Sequence, residues 1–282
     1  MSADLSWMLE DIVTNVPKAR HAVLLSADGL PRGATEGLVE KDVRTISAAM
    51  AGMQSLSRAT SHFAGLSEDR EWHQTIIEFS HGWIFLIGAG QGAYLAAAAA
   101  PDVDMQQISF RMHRLVARLG NNLTSPPRVN TEESAREAHG ARARREETGG
   151  ADSVLADLDE VIADVKGARH AVLLGSDGLP RGTTSGMHRD LADTISAAMT
   201  GIHAYSRVTS QFAGVRDDAE WRQTVIEFQH GWIFLIAASH GTFLAAAAEH
   251  DSNIEEFTTR LHEVVPRLSK QGTPRGEAGS DV

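Results

Sequence analysis

The chain contains no cysteine among its 282 residues. That excludes a disulfide framework, a thiolate zinc site and a cysteine nucleophile, and it fits a reducing compartment such as the cytoplasm. An excess of positive charge is missing too: 26 Lys and Arg stand against 37 Asp and Glu, a formal charge of −11. A phosphate backbone calls for a basic surface and a lipid headgroup layer for clustered Lys and Arg, so neither nucleic acid nor a membrane surface is an expected partner. The start, Met1-Ser2-Ala3-Asp4, has neither the basic nor the apolar region of a signal peptide, and a cytoplasmic location is expected. Long apolar runs are scarce. The one from Trp83 to Ala100 approaches spanning length, but Gly88, Gly90 and Gly92 interrupt it, and two strands with a turn account for it better than a helix in lipid.

Sequence motifs for catalysis are equally absent. There is no Gly-x-x-x-x-Gly-Lys-Ser/Thr loop and no Gly-x-Ser-x-Gly elbow. Gly88-Ala89-Gly90-Gln91-Gly92 resembles part of a dinucleotide fingerprint, yet it joins two strands and precedes no helix. Of thirteen histidines, only His21/His170 and His81/His230 recur in equivalent places, without metal-ligand spacing. His81 and His230 read as turn residues, and Glu78 and Glu227 as exposed or paired strand residues. No catalytic residue, cofactor or metal is expected, and the protein is read as a non-enzyme.

What the chain does have is a repeat. Ala19-Arg20-His21-Ala22-Val23-Leu24-Leu25 returns as Ala168 to Leu174, Asp28-Gly29-Leu30-Pro31-Arg32-Gly33 as Asp177 to Gly182, and His81-Gly82-Trp83-Ile84-Phe85-Leu86-Ile87 as His230 to Ile236. A repeat of this length marks a duplicated domain. The expected layout is copy 1 over residues 1–123, a charged flexible linker over 124–152, copy 2 over 153–268 and a disordered tail over 269–282. The linker opens on Pro126-Pro127, sets Arg128, Arg136, Arg142, Arg144 and Arg145 against five glutamates, and ends on Gly149-Gly150.

Within one copy, Leu5, Met8, Leu9, Ile12 and Val13 have helical spacing up to Pro17. His21 to Ser26 is a β-rich run, Asp28-Gly29 signals a hairpin, and Pro31 confines the returning strand to an edge. A long helix over about 41–63 carries Ile46, Ala49, Met50, Met53, Leu56 and Thr60 toward the sheet. Beside them runs a stripe of small residues, Ala48, Gly52, Ser55 and Ala59, matched in copy 2 by Ala197, Gly201, Ala204 and Val208. Small side chains let another backbone approach, so two neighbours are expected for this helix. Three strands and a closing helix over 103–123 follow. The fold class is α/β (α+β), each copy a five-stranded antiparallel sheet flanked by helices.

This element order, the segment Ala22-Val23-Leu24-Leu25-Ser26-Ala27-Asp28-Gly29-Leu30 and the segment Gln74-Thr75-Ile76-Ile77-Glu78-Phe79-Ser80-His81-Gly82-Trp83-Ile84-Phe85-Leu86-Ile87 together resemble the roadblock (dynein light-chain) family, bacterial members above all. The resemblance implies pairing through the long helix and the strand after it into one continuous sheet. It makes the two small-residue stripes the expected copy–copy interface, within the chain or between chains. It also implies a small Ras-like GTPase as partner, with this protein a regulator or scaffold. Arg44, Arg58 and Arg207 are candidate partner contacts, since arginine is enriched at binding hot spots. The helix starts differ, Val39-Glu40-Lys41-Asp42 against His188-Arg189-Asp190-Leu191, so a fused pair could impose one orientation on its partner. The alternatives are a PAS/GAF-like small-molecule sensor and a purely structural dimerisation module.

Overall fold

A computed structural model of the chain describes residues 5–65, 72–90, 92–119, 151–214, 220–239 and 241–271. Copy 1 runs α1 (Ser6–Asn15), β1 (Ala19–Ser26), β2 (Pro31–Ala34), α2 (Glu40–Ala59), a 3₁₀ turn (Ser61–Ala64), β3 (Trp72–Phe79), β4 (Gly82–Gly88), β5 (Ala93–Ala99) and α3 (Met105–Leu119). Copy 2 repeats it as α4 (Ala151–Asp164), β6 (Ala168–Gly175), β7 (Pro180–Thr183), α5 (Arg189–Val208), a 3₁₀ turn (Ser210–Ala213), β8 (Trp221–Phe228), β9 (Gly231–Ser239), β10 (Thr242–Glu249) and α6 (Ile254–Gln271). Most of the expected linker and tail lies outside the described residues. At their margins, α4 begins at Ala151 and α6 continues past Ser269, each slightly beyond the expected copy boundary.

The long helix stops at Ala59, short of the expected 63, for a local reason. The Thr60 hydroxyl donates to the Ser57 carbonyl at 2.7 Å, and the chain tightens into the 3₁₀ turn before Gly65 leaves it at φ +70°. Copy 2 repeats the device with Thr209, Ser206 and Gly214. Hydroxyls of this kind compete with the helical ladder and favour an early stop.

The strands form one ten-stranded sheet in the order β2-β1-β5-β4-β3-β8-β9-β10-β6-β7, with every neighbouring pair antiparallel. The Pro-bearing strands β2 and β7 are its two edges. Alternating strand residues divide the interior between two faces, as a period of two requires. On one face Val23, Leu25, Ile77 and Leu86 meet α2, and the core continues without a break into copy 2 under α5. On the other face Ala22, Leu24, Phe85 and Leu95 meet α1 and α3, and an equivalent but separate core lies under α4 and α6. One core is therefore shared by both copies and two belong to single copies. A buried relay ties each central helix to its sheet: the Trp72 indole donates to Thr75 at 3.0 Å, and Thr75 lies 3.4 Å from Ser57. In copy 2 the same links join Trp221, Thr224 and Ser206 at 3.0 and 3.2 Å.

The copies meet along β3 and β8, where Gln74 faces Glu227 and Glu78 faces Gln223. The Gln74 amide donates to Glu227, the Gln223 amide donates to Glu78 at 2.7 Å, and Arg222 reaches Glu78 at 3.3 Å. Each 3₁₀ turn then crosses to the other copy. Arg20 donates to the carbonyls of Ala213 and His81, the latter at 3.2 Å. The His21 ring stacks on Phe212 with centroids 6.3 Å apart, and His170 stacks on Phe63 at the same distance. Phe63 and Phe212 are fully buried. Burying such a ring stabilises by about 1.5–3 kcal/mol.

Two predictions follow from this packing. A Cβ at Gly82 would come 2.7 Å from the Ala99 carbonyl and 3.0 Å from the Ala213 carbonyl of the other copy. Both obstacles are backbone, so Gly82→Ala should lower stability by about 1–3 kcal/mol, read as a lower urea midpoint. The second concerns pH. Burial lowers the pKa of His21 and His170, and burial with the nearby Arg207 lowers that of His203 from 6.5 to about 4. A histidine with a depressed folded-state pKa stabilises the fold while neutral, and that stability is lost as pH falls from 6.5 toward the folded value. The His203 ring sits 4.7 Å from Trp221 and 4.3 Å from Phe243, where copy 1 has Gln54. His203→Gln should flatten the fall in urea midpoint between pH 6.5 and about 4 relative to the parent chain. Superimposable pH profiles for the two proteins would rule this out.

Candidate partner-binding face

Opposite the sheet, α2 and α5 lie side by side and present a two-helix platform. They contact through a reciprocal pair of holes and knobs. A Cβ at Gly52 would fall 2.6 Å from the Tyr205 ring, and one at Gly201 would fall 2.6 Å from Leu56. Gly52 and Gly201 are equivalent, as are Leu56 and Tyr205, so each helix offers a glycine to the bulky residue of the other. The pairing of 52 with 205 and 56 with 201 makes the helices antiparallel. The contact lies in the C-terminal halves of both helices, and their N-termini point away from each other. Gly52 and Leu56, like Gly201 and Tyr205, stand one helical turn apart, and this glycine-then-bulky spacing recurs in both copies.

The structure divides the small-residue stripe. Gly52 and Gly201 lie at the helix–helix contact, half-buried. Ala48, Ser55, Ala59, Ala197, Ala204 and Val208 are exposed, Val208 by 50%. The reason is helical phase. The residues buried on the sheet are Val43, Ile46, Ser47, Met50, Met53, Gln54 and Ser57, and the stripe is centred on the opposite side of the helix. Buried Ala49 and Ala198 stand nearer the neighbouring helix. Ala48 has a different close neighbour, the β1–β2 turn, since a Cβ at Gly29 would lie 3.1 Å from the Ala48 Cα.

Charge is unequal across this platform. Arg44 is exposed and pairs with Glu40 at 2.6 Å. Its counterpart in copy 2 is Asp193, which meets Arg189 at 3.8 Å. Lys41 likewise corresponds to Asp190, whose backbone amide donates to the His188 ring at 3.3 Å. Arg58 is exposed and reaches the Tyr94 phenol, whose pKa burial raises while Arg58 opposes the rise. Arg207, also exposed, lies near His203. Lys41 and Arg44 thus stand on the first turns of α2 and Asp190 and Asp193 on the first turns of α5, which the antiparallel crossing sets at opposite ends of the platform.

The remaining sequence candidates fall elsewhere. His81 and His230 are exposed at the β3–β4 and β8–β9 turns, and their backbone carbonyls accept from Arg20 and from the His250 amide. Glu78 and Glu227 are committed to the copy–copy seam. The space between sheet and central helices, where a sensor would hold its ligand, contains Met50, Met53, Met199 and Ile202, all fully buried. Among the described residues no three His, Asp or Glu are placed to hold a metal ion, and no helix is long and apolar enough to cross a membrane. Arg20 and Arg169 at the seam carried no signal in the sequence, because Arg20 binds a carbonyl distant in the chain.

Several known proteins are similar to parts of this chain. A roadblock/LC7 domain from Streptomyces avermitilis is 29% identical, covering 44% of this chain and 100% of its own, at a TM-score of 0.40. MglB of Myxococcus xanthus is 12% identical over 42% of this chain and 93% of its own, at a TM-score of 0.37. MglC of the same organism is 18% identical over 40% and 93%, at 0.28. No curated protein sequence matches the chain. The model of the Roadblock/LC7 domain matches twice, over residues 5–99 and 155–248. Each match takes in the helix, the sheet and the platform helix of one copy, and the chain therefore belongs to the Roadblock/LC7 family, as a tandem pair.

Proposed function

We propose that the α2/α5 platform docks a small Ras-like GTPase and that the protein is a non-enzymatic regulator or scaffold. The observation that carries this reading is the platform's outer row. Ala48, Ser55, Ala59, Ala197 and Ala204 make an exposed, flat strip with little side-chain entropy to lose on contact, and Arg44, Arg58 and Arg207 flank it. The two-domain core beneath is continuous, so the strip is held as a rigid unit. The two copies, 1–123 and 153–268, act together as one pseudo-dimer, with 124–152 as tether.

Acting without a catalytic group of its own, such a surface influences turnover by favouring one arrangement of the partner's switch loops, that is, by its different affinity for the two nucleotide states. The unequal charge of the platform's ends, Lys41 and Arg44 against Asp190 and Asp193, gives a single preferred seating to a partner on an otherwise pseudo-symmetric face.

The test is calorimetric titration of the full chain with the small Ras-like GTPases of its own organism, each loaded in turn with GDP and a non-hydrolysable GTP analogue. Binding in at least one state is expected. Ser55→Arg and Ala204→Arg, both at exposed positions, should each weaken it by at least about tenfold, or about 1.4 kcal/mol, with the unfolding midpoint unchanged. No binding in either state would sink the proposal.

A further inference from the structure

The two copies diverge most on the side of the sheet away from the platform. There α1 with α3, and α4 with α6, turn their outer faces to solvent on the same side of the molecule. On α3 the outward positions are Gln106, Phe110 and Arg114, and on α6 the equivalents are Glu255, Thr259 and Glu263. Phe110 is 64% exposed. Trp7 on α1 is 65% exposed, and its equivalent on α4 is Ala156. Helix α3 carries Arg111, Arg114 and Arg118 and no carboxylate, while α1 beside it carries Glu10 and Asp11, the latter meeting Arg111 at 3.7 Å. In copy 2, Glu255, Glu256 and Glu263 line a shallow cleft with Asn253, Thr259 and Arg260, and α4 adds Asp157, Asp159, Glu160 and Asp164.

Two surfaces of common origin thus differ in chemistry: one sets Trp7, Phe110 and Arg114 outward, and the other carries an excess of carboxylates even with Arg260 and Arg267 paired to Glu263, Asp157 and Glu160. Large exposed aromatics next to arginines are the usual makings of a binding hot spot. Within a single chain the two faces point the same way and cannot meet. A second chain can satisfy both.

We propose that two chains associate back to back about a two-fold axis, with the Phe110–Arg114 face of each seated on the Glu255–Glu263 face of the other. The arrangement makes each contact twice and closes on itself, as an isologous interface must, so it ends at two chains. The occupant is a second copy because it carries both faces on one side of the molecule, so that Arg114 of each chain meets the Glu255–Glu263 carboxylates of the other. The platforms of α2 and α5 remain outward on both sides. The Arg260–Glu263 pair already present, at 3.0 Å, is an exposed contact within α6 that is readily exchanged.

Sedimentation equilibrium of the full chain tests this. At about 0.1 M salt a species of twice the 30.4 kDa chain mass is expected, weakening as salt rises toward about 1 M. Arg114→Glu alone and Glu263→Arg alone should each raise the dissociation constant at least about tenfold, because like charges then oppose one another. The chain carrying both substitutions should recover most of that loss. Phe110→Thr, which installs the copy 2 residue, should also weaken the dimer. All three positions are exposed, so the fold is unaffected. A chain that stays monomeric at low salt overturns the proposal, as does a dimer indifferent to these substitutions or a double variant without rescue.

Discussion

The antiparallel ladder between β3 and β8 is the constraint on which the molecule depends. Each strand would otherwise be the open edge of a five-stranded sheet, with a row of unpaired amides and carbonyls that invites association. Paired, the two strands become the centre of a ten-stranded sheet. Register matters here, because a slip by one residue would exchange the buried and half-exposed faces of both strands. The cross-strand pairs Gln74–Glu227 and Glu78–Gln223 distinguish the correct register, since each amide finds a carboxylate only in that alignment. Once the ladder is set, the antiparallel crossing of α2 and α5 and the exchange of the two 3₁₀ turns follow from geometry.

The faces of the sheet divide labour. Under α2 and α5 the core is common property: Phe63 and Phe212 each lie against a histidine of the other copy. Under the outer helices each copy keeps its own core. The common side therefore resists divergence, because a change in one copy disturbs both. The relay Trp72–Thr75–Ser57 and its copy 2 counterpart retain the same residue types, whereas Phe110 and Arg114 have become Thr259 and Glu263 on the outer side.

Much of this was legible in the residues. The duplication, the hairpin at Asp28-Gly29, the edge placement of Pro31 and the sheet-facing side of the long helix all rest on local rules that the structure obeys. The stripe at Ala48, Gly52, Ser55 and Ala59 shows where such rules stop. Periodicity reports that small residues share a face, but not whether that face meets a neighbour or solvent. The direction of the neighbouring helix is set by the sheet, and it brings Gly52 and Ala49 to the contact while Ser55 and Ala59 look outward. The early end of α2 was written in Thr60, whose hydroxyl bonds back to Ser57. Arg20 was illegible for another reason: the backbone carbonyls that it meets accept from any donor and leave no complementary residue to recognise.

The outermost strands complete the picture. β2 and β7 are four residues long, and each begins on a proline, which has no amide hydrogen to offer a newcomer. With β3 and β8 engaged on each other, the sheet retains two rims that are poor templates for a further strand. A lone domain of this kind would have an adhesive margin and would be free to exchange partners. Here each copy fills that margin of the other, so a further domain of this kind would have to displace one of them to enter the sheet.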